Sequence, residues 1–308
     1  MRALPAALAL WLAALTTGAM MPAMAAGYQI TDSFGKHYFE RPPARVVVTD
    51  WALLEQLLEL GIEPVGAPEL DAYRRLVRQP ALPARIVDIG LRRSPTLETL
   101  RTLDADVILL GTGQKDLARP FSRITRVLYY QSFSDRYRGN GKKSRVRFLE
   151  LADLFQRRAL AQRKLATMDA RIAELRAAIA ARFGTTPPKV TPIRFSSEDR
   201  VLIYGTNSLP HYALEQLGLE SDFPLPRSRW GEAELPLARL AEVDEGYLFY
   251  FEPADVFNTI AATPQWQTLP TVRTDRVRAL PPTWTTGGAM SVLYLAEAMA
   301  AALLAESG

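Results

Sequence analysis

The residues of this chain best suited to chemistry are flat aromatics and guanidiniums, and they recur where strands give way to helices. Trp51 begins the helical run that follows the apolar strand Arg45-Val46-Val47-Val48-Thr49. Arg92 and Arg93 follow Val87-Asp88-Ile89-Gly90-Leu91, and Gln114 follows Leu109-Leu110-Gly111-Thr112-Gly113. Trp230 stands beside Arg227 and Arg229 ahead of a helical stretch, and Trp284 precedes Gly287-Gly288 and the last helix. In α/β sheets, ligands bind outside the carboxyl ends of the strands. Large rings with a few guanidinium donors suit a bulky, partly apolar, oxygen-rich ligand. Core packing explains any one of these tryptophans equally well. Their recurrence at the same topological position in both halves favours ligand contact.

Catalytic patterns do not emerge. There is no Gly-x-Ser-x-Gly elbow, no His-Glu-x-x-His and no P-loop. The chain has no cysteine, which excludes thiolate catalysis, iron–sulfur clusters and a disulfide framework. It has two histidines, His37 and His211, and both read as surface or packing residues. A bare transition-metal site wants several soft or imidazole ligands, so no protein metal site and no cofactor are expected. Haem, cobalamin or another bulky chelate stays open as the ligand, and Tyr73, Tyr204 and Tyr212 keep haem possible because it takes an axial Tyr as well as His, Cys or Met. An exported α/β hydrolase is the reading from a different class, and it lacks a nucleophile–base pair.

The elements that must position these residues form two similar sets. Arg45–Thr49 reads as a strand, Trp51–Leu60 as a helix closed by Gly61-Ile62, Thr96–Leu103 as a helix and Ala105–Leu110 as a strand. About 155 residues later, Val201–Tyr204 reads as a strand, His211–Leu217 as a helix closed by Gly218-Leu219, Leu237–Val243 as a helix and Gly246–Phe251 as a strand. Alternating strands and helices imply βαβ units and mainly parallel sheets. Val272–Ala279 reads as two short extended pieces around Thr274-Asp275, and Ala289–Ala305 as a C-terminal helix.

Between the two sets lies the chain's longest stretch free of glycine and proline, Lys142–Phe183. Lys142–Phe155 reads as a shorter helix, and Arg158–Phe183 as one helix of ~39 Å at 1.5 Å per residue. Leu165, Met168, Ile172, Leu175 and Ile179 give it one apolar face. Gly184 and Pro187-Pro188 end it. The expected fold is therefore α/β, with two lobes joined by one long helix.

The first 25 residues read as a cleaved signal peptide: Arg2, an apolar run from Ala3 to Leu15, and Ala23-Met24-Ala25 at the cleavage site. An exported chain without a lipid-attachment cysteine points to the periplasm. The domain boundaries expected are 26–157 for the first lobe, 158–184 for the connecting helix and 185–308 for the second lobe. Apolar residues make up 48% of the sequence, enough for two cores. The formal charge of +4 comes with no basic stripe, so no nucleic-acid partner is implied.

The sequence also resembles the periplasmic ferric-hydroxamate siderophore-binding proteins of iron-uptake ABC transporters, the helical-backbone class of periplasmic binding protein. The resemblance runs along the mature chain. It is strongest at Asp50-Trp51, Leu60-Gly61-Ile62, Val87-Asp88-Ile89-Gly90-Leu91-Arg92, Tyr204-Gly205-Thr206-Asn207-Ser208-Leu209, Ala262-Thr263-Pro264-Gln265-Trp266-Gln267 and Leu280-Pro281-Pro282-Thr283-Trp284. It implies a monomer that holds an Fe(III)–siderophore between its lobes and delivers it to an inner-membrane ABC permease with its cytoplasmic ATPase. It places the hydroxamate-binding arginine at Arg92 and the aromatic cleft residues at Trp51, Trp230 and Trp284, with Arg93 and Arg229 nearby. The family's cleft tyrosine falls on Gln114, whose amide can still donate a hydrogen bond. That change, with Arg227 and Arg229, leaves room for an anionic carboxylate siderophore. Docking to the permease implies exposed acidic residues on each lobe: Glu98 in the first, and Glu232, Glu234 or Glu242 in the second.

Overall fold

A computed structural model describes residues 27–305 apart from position 224. The expected signal peptide lies outside the described residues. Among them, no helix is long and apolar enough to cross a membrane.

The first lobe opens with a hairpin of β1 (Tyr28–Thr31) and β2 (Lys36–Phe39). There follow β3 (Val46–Val48), α1 (Trp51–Glu59), β4 (Gly66–Ala67), α2 (Leu70–Leu76) and β5 (Val87–Asp88). A tight hairpin, β6 (Gly90–Leu91) and β7 (Ser94–Pro95), precedes α3 (Leu97–Thr102), β8 (Val107–Leu110), α4 (Ala118–Phe121) and β9 (Arg126–Tyr129). The five main strands run β5-β4-β3-β8-β9, and every pairing is parallel. Val46, Val47 and Val48 are all buried, as a central strand covered on both faces requires. Asp50 starts α1 by accepting the Leu53 N–H on its carboxylate at 3.1 Å. That geometry puts Trp51 at the first helical position.

Two helices follow, α5 (Asn140–Leu154) and α6 (Arg158–Phe183). The longer one has the expected bounds and no break. Ala161, Leu165, Met168, Ile172 and Ile179 are its buried face, with Leu175 packed partly buried beside them.

The second lobe contains β10 (Val190–Phe195), β11 (Arg200–Tyr204), α7 (Leu209–Leu217), β12 (Glu232–Pro236) and β13 (Tyr247–Phe251). Three short helices, α8 (Phe257–Ala261), α9 (Pro264–Gln267) and α10 (Pro270–Arg273), lead to β14 (Val277–Leu280) and α11 (Ser291–Leu304). The sheet order is β12-β11-β10-β13-β14. Only β10, β13 and β14 are parallel, and β11 and β12 run antiparallel. The central strand matching β3 is therefore β10, one strand earlier than the sequence repeat suggests. Leu237–Glu242 is a 3₁₀ turn, and Val272 sits in α10 and not in an extended piece. Gly218 ends α7 in the left-handed region at φ 76, where a Cβ would also press on the Arg176 guanidinium.

One core joins the lobes. It takes the inner faces of both sheets (Val46, Val48 and Leu109 from one, Val190, Phe249 and Phe251 from the other) together with α6, α7 and α11. Lys164 of α6 reaches Glu59 of α1 at 2.6 Å, and Arg171 of α6 reaches Glu297 of α11 at 3.2 Å. The long helix is thus tied to both halves, which resists bending between them.

Candidate functional site

A cleft of about 670 Å³ opens at the carboxyl ends of the parallel strands. Its first-lobe wall comes from Asp50 after β3, Glu69 after β4, Leu91–Arg93 on the β6–β7 hairpin, and the loop from Thr112 to Leu117 after β8. Arg229 and Trp230, just before β12, supply the opposite wall.

Arg92 is the best-fixed cation there. Its backbone N–H and its Nε both donate to Glu69, at 3.2 and 2.6 Å. Its carbonyl accepts from Gln114 Nε2 at 2.7 Å. The guanidinium lies 3.8 Å from the centre of the Trp51 ring and 5.4 Å from that of Trp284, close enough for cation–π attraction. Its terminal nitrogens have no hydrogen-bond partner among the described residues, so two N–H₂ groups on a braced arm remain free to donate.

Trp51 supports this arrangement from below and is not a cleft wall. It is 1% exposed, and its Nε1 donates to the Pro68 carbonyl at 2.9 Å. Trp284 meets Trp51 edge-on at 4.8 Å, bringing the lobes together behind Arg92. Its loop is held by Arg194, which donates to the Thr283 carbonyl at 3.0 Å, and by the Tyr204–Thr285 hydroxyl pair at 3.0 Å. Trp230 alone of the three lines the cleft, braced against Phe133 at 5.4 Å.

Gln114 lines the cleft, but its amide faces inward. Nε2 donates to the carbonyls of Thr49 and Arg92, and Oε1 accepts from the Thr49 hydroxyl and the Gly111 N–H, all within 2.8 Å. With every amide hydrogen and lone pair engaged, Gln114 staples Arg92 to the sheet instead of donating to a ligand. Gly111 is needed beside it, because a Cβ there would fall 2.2 Å from the Asp50 carboxyl carbon. Burial raises the Asp50 carboxyl above its ordinary range, while the Leu53 N–H and then Arg92 pull it down.

Arg93 and Arg229 line the cleft as exposed rim residues, whereas Arg227 does not line it. The lining holds three guanidiniums (Arg92, Arg93 and Arg229) against three carboxylates (Asp50, Glu69 and Asp116). Of Arg227 and Arg229, the pair that left room for an anionic ligand, only Arg229 reaches the lining. Glu69 and Asp116 carry no signal in the sequence, because lone carboxylates beside helices are too common to mark a site. Tyr73, Tyr204 and Tyr212, the candidate haem ligands, are buried away from this cleft, at 0%, 1% and 8% exposure. His37 pairs with Asp32 and His211 with Glu215, both elsewhere. Glu98 is exposed in the first turn of α3 without an ion-pair partner among the described residues. Glu234 and Glu242 pair with Arg200 and Arg239, and burial pushes partly covered Glu232 up to about 7.

The model of the periplasmic binding protein family matches residues 46–283. The Escherichia coli iron(3+)-hydroxamate-binding protein FhuD is 28% identical over 263 residues, covering 83% of this chain and 86% of that protein. The E. coli Fe(3+) dicitrate-binding periplasmic protein FecB is 22% identical over 279 residues, 88% of this chain and 87% of its own. Among solved structures, the siderophore-binding protein FhuD of Vibrio cholerae with Fe3+–Desferal is 44% identical, with a TM-score of 0.82, over 85% of this chain and 98% of that one. With the lobes, helix and cleft described above, these matches bear out the resemblance read from Asp50-Trp51, Arg92 and the Trp284 segment: the chain belongs to the periplasmic binding protein family.

Proposed function

We propose that this chain captures an Fe(III)–siderophore of hydroxamate type in the cleft and hands it to an inner-membrane ABC permease from the periplasmic side, acting as a monomer. The observation that carries the reading is Arg92: a guanidinium stacked on Trp51 and Trp284, braced by Glu69, with its terminal N–H₂ groups free at the cleft. Two parallel N–H donors match adjacent oxygens of a ferric hydroxamate shell. The volume of about 670 Å³ suits a ligand of this size. Balanced formal charge in the lining favours a hydroxamate over a carboxylate complex, and the 44% identity to a protein solved with Fe3+–Desferal supports the hydroxamate class. Trp230 and Arg229 take the organic backbone from the second lobe, with Arg93 at the rim.

Calorimetric titration with a panel of neutral hydroxamate, carboxylate and catecholate ferric complexes tests this. The neutral hydroxamates should bind at least tenfold more tightly than the others. Preference for another class, or no binding to any complex, would overturn it.

Glu98 is the first-lobe docking residue in this reading, being exposed and unpaired on the helix that follows the Arg92 hairpin. Glu98→Arg should cut siderophore-dependent uptake in cells severalfold while leaving the affinity of the purified protein unchanged. Normal uptake would remove Glu98 from the docking surface.

A further inference from the structure

Glu69 occupies an unusual place for a carboxylate that faces a cleft. It sits between β4 and α2 in the left-handed region, at φ 50 and ψ 51, where a non-glycine residue persists only if its surroundings hold it. They do. Its N–H donates to the Gly90 carbonyl at 3.1 Å, and its own carbonyl accepts from the Tyr73 N–H at 3.0 Å. The preceding carbonyl, of Pro68, takes the Trp51 indole N–H. So fixed, the side chain turns toward the β6–β7 hairpin. It grips Arg92 twice, through the backbone N–H and through Nε, and lines the cleft beside it. Side-chain exposures of 33% for Arg92 and 21% for Glu69 put the pair within reach of a bound ligand.

We propose that Glu69 sets the charge selectivity of the cleft: it offsets the guanidinium that meets the ligand, so that uncharged ferric complexes bind in preference to anionic ones. The inference rests on the reading of this cleft as a ferric-siderophore site. Two consequences of the geometry separate. Gripping Nε and the backbone aims the terminal N–H₂ groups outward, which any complex with oxygen acceptors exploits. The fixed negative charge beside them repels a complex that carries its own. Asp50 and Asp116 also line the cleft, but neither contacts Arg92 through a hydrogen bond.

Glu69→Gln keeps the size and one acceptor oxygen and removes the charge. Its affinities would be compared with those of the unmodified protein for three probes: a neutral ferric tris-hydroxamate, a ferric tris-hydroxamate carrying a protonated amine, and ferric dicitrate. The anionic complex should gain about tenfold relative to the neutral one at low salt, and the cationic complex should lose a similar factor. Both effects should shrink as the Debye length falls from about 10 Å at 0.1 M to about 3 Å at 1 M. A purely structural role for Glu69 would weaken all three alike, and that result, or an unchanged ranking, would overturn the proposal. If circular dichroism finds the variant unfolded, the unmodified protein decides the matter. Its anionic-to-neutral affinity ratio should change less than about threefold across that salt range, and a steep gain for ferric dicitrate at low salt would overturn the proposal. Failure of the unmodified protein to bind any of the three would instead remove the ferric-siderophore reading itself.

Discussion

Arg92→Ala is expected to weaken binding of a neutral ferric hydroxamate by tenfold to a hundredfold. A hydrogen bond involving a charged group contributes about 1.5–3 kcal/mol, and each 1.4 kcal/mol is about a factor of ten in affinity. The upper part of that range is favoured here for two reasons. Glu69 loses its cation and faces the oxygen-rich ligand alone. The braced stack on Trp51 at 3.8 Å also means that little conformational entropy is lost when the wild-type arginine engages its ligand. Arg92→Lys should recover only part of the loss, because an ammonium cannot form the two-pronged contact or lie flat on the indole. Calorimetry is the suitable measurement, since removing the guanidinium from Trp51 would itself change the protein's fluorescence. Undiminished affinity in Arg92→Ala would show that the ligand sits elsewhere.

The parts of this fold that the sequence reveals are those set by local rules. Arg158–Phe183 is legible to the residue because the gap in glycine and proline, the three-to-four spacing of apolar residues and Gly184 all agree. Strand direction follows from the strand–helix alternation in the first lobe, whose main sheet is all parallel, but not in the second. β10 illustrates the difficulty: Pro192 and Arg194 interrupt its apolar run, so β11 reads as the first strand of its lobe, and the antiparallel pairing of β10, β11 and β12 goes unseen. At the site, residue type locates the neighbourhood but not the role. Arg92, Arg93, Gln114, Arg229 and Trp230 do line one cleft. Trp51 turns inward because its N–H finds Pro68, and Gln114 turns inward because four backbone and hydroxyl partners lie within reach. Both outcomes depend on groups distant in sequence. Glu69 has no sequence signal, since its importance comes from Arg92, 23 residues away.

Stability should fall as pH rises from about 5 to about 8, and Glu55→Gln should remove a large part of that slope. Glu55 lies on α1 at 0% exposure, with its carboxyl group against the start of α11. The Gly288 and Ser291 N–H groups lie 3.3 and 3.0 Å from Oε1, and the Ser291 hydroxyl lies 2.5 Å from Oε2. Burial pushes the carboxyl up from 4.5 to about 8, against the lowering effect of Ser291 and with a further rise from the neighbouring charge of Glu59. Lys164 and Tyr294 both engage Glu59, and Glu55 has no ion-pair partner among the described residues. Between about pH 4.5 and 8 the native state therefore keeps a proton that the unfolded chain releases. Where the native state binds more protons, stability drops with rising pH, by at most about 1.4 kcal/mol per unit for one group. The contribution is fully present below the unfolded value and is lost once pH passes the folded one. A glutamine keeps the shape, can accept from the α11 N–H groups and never ionises. At pH 8 the variant should be the more stable protein by about 2 kcal/mol or more, and near pH 5 the two should differ little. Glu232, pushed up to about 7, adds a slope of the same sign to both proteins, so the difference between them isolates Glu55. Urea denaturation at a series of pH values measures it, and parallel curves for the two proteins would show that the buried carboxyl at the head of α11 is not the group that titrates.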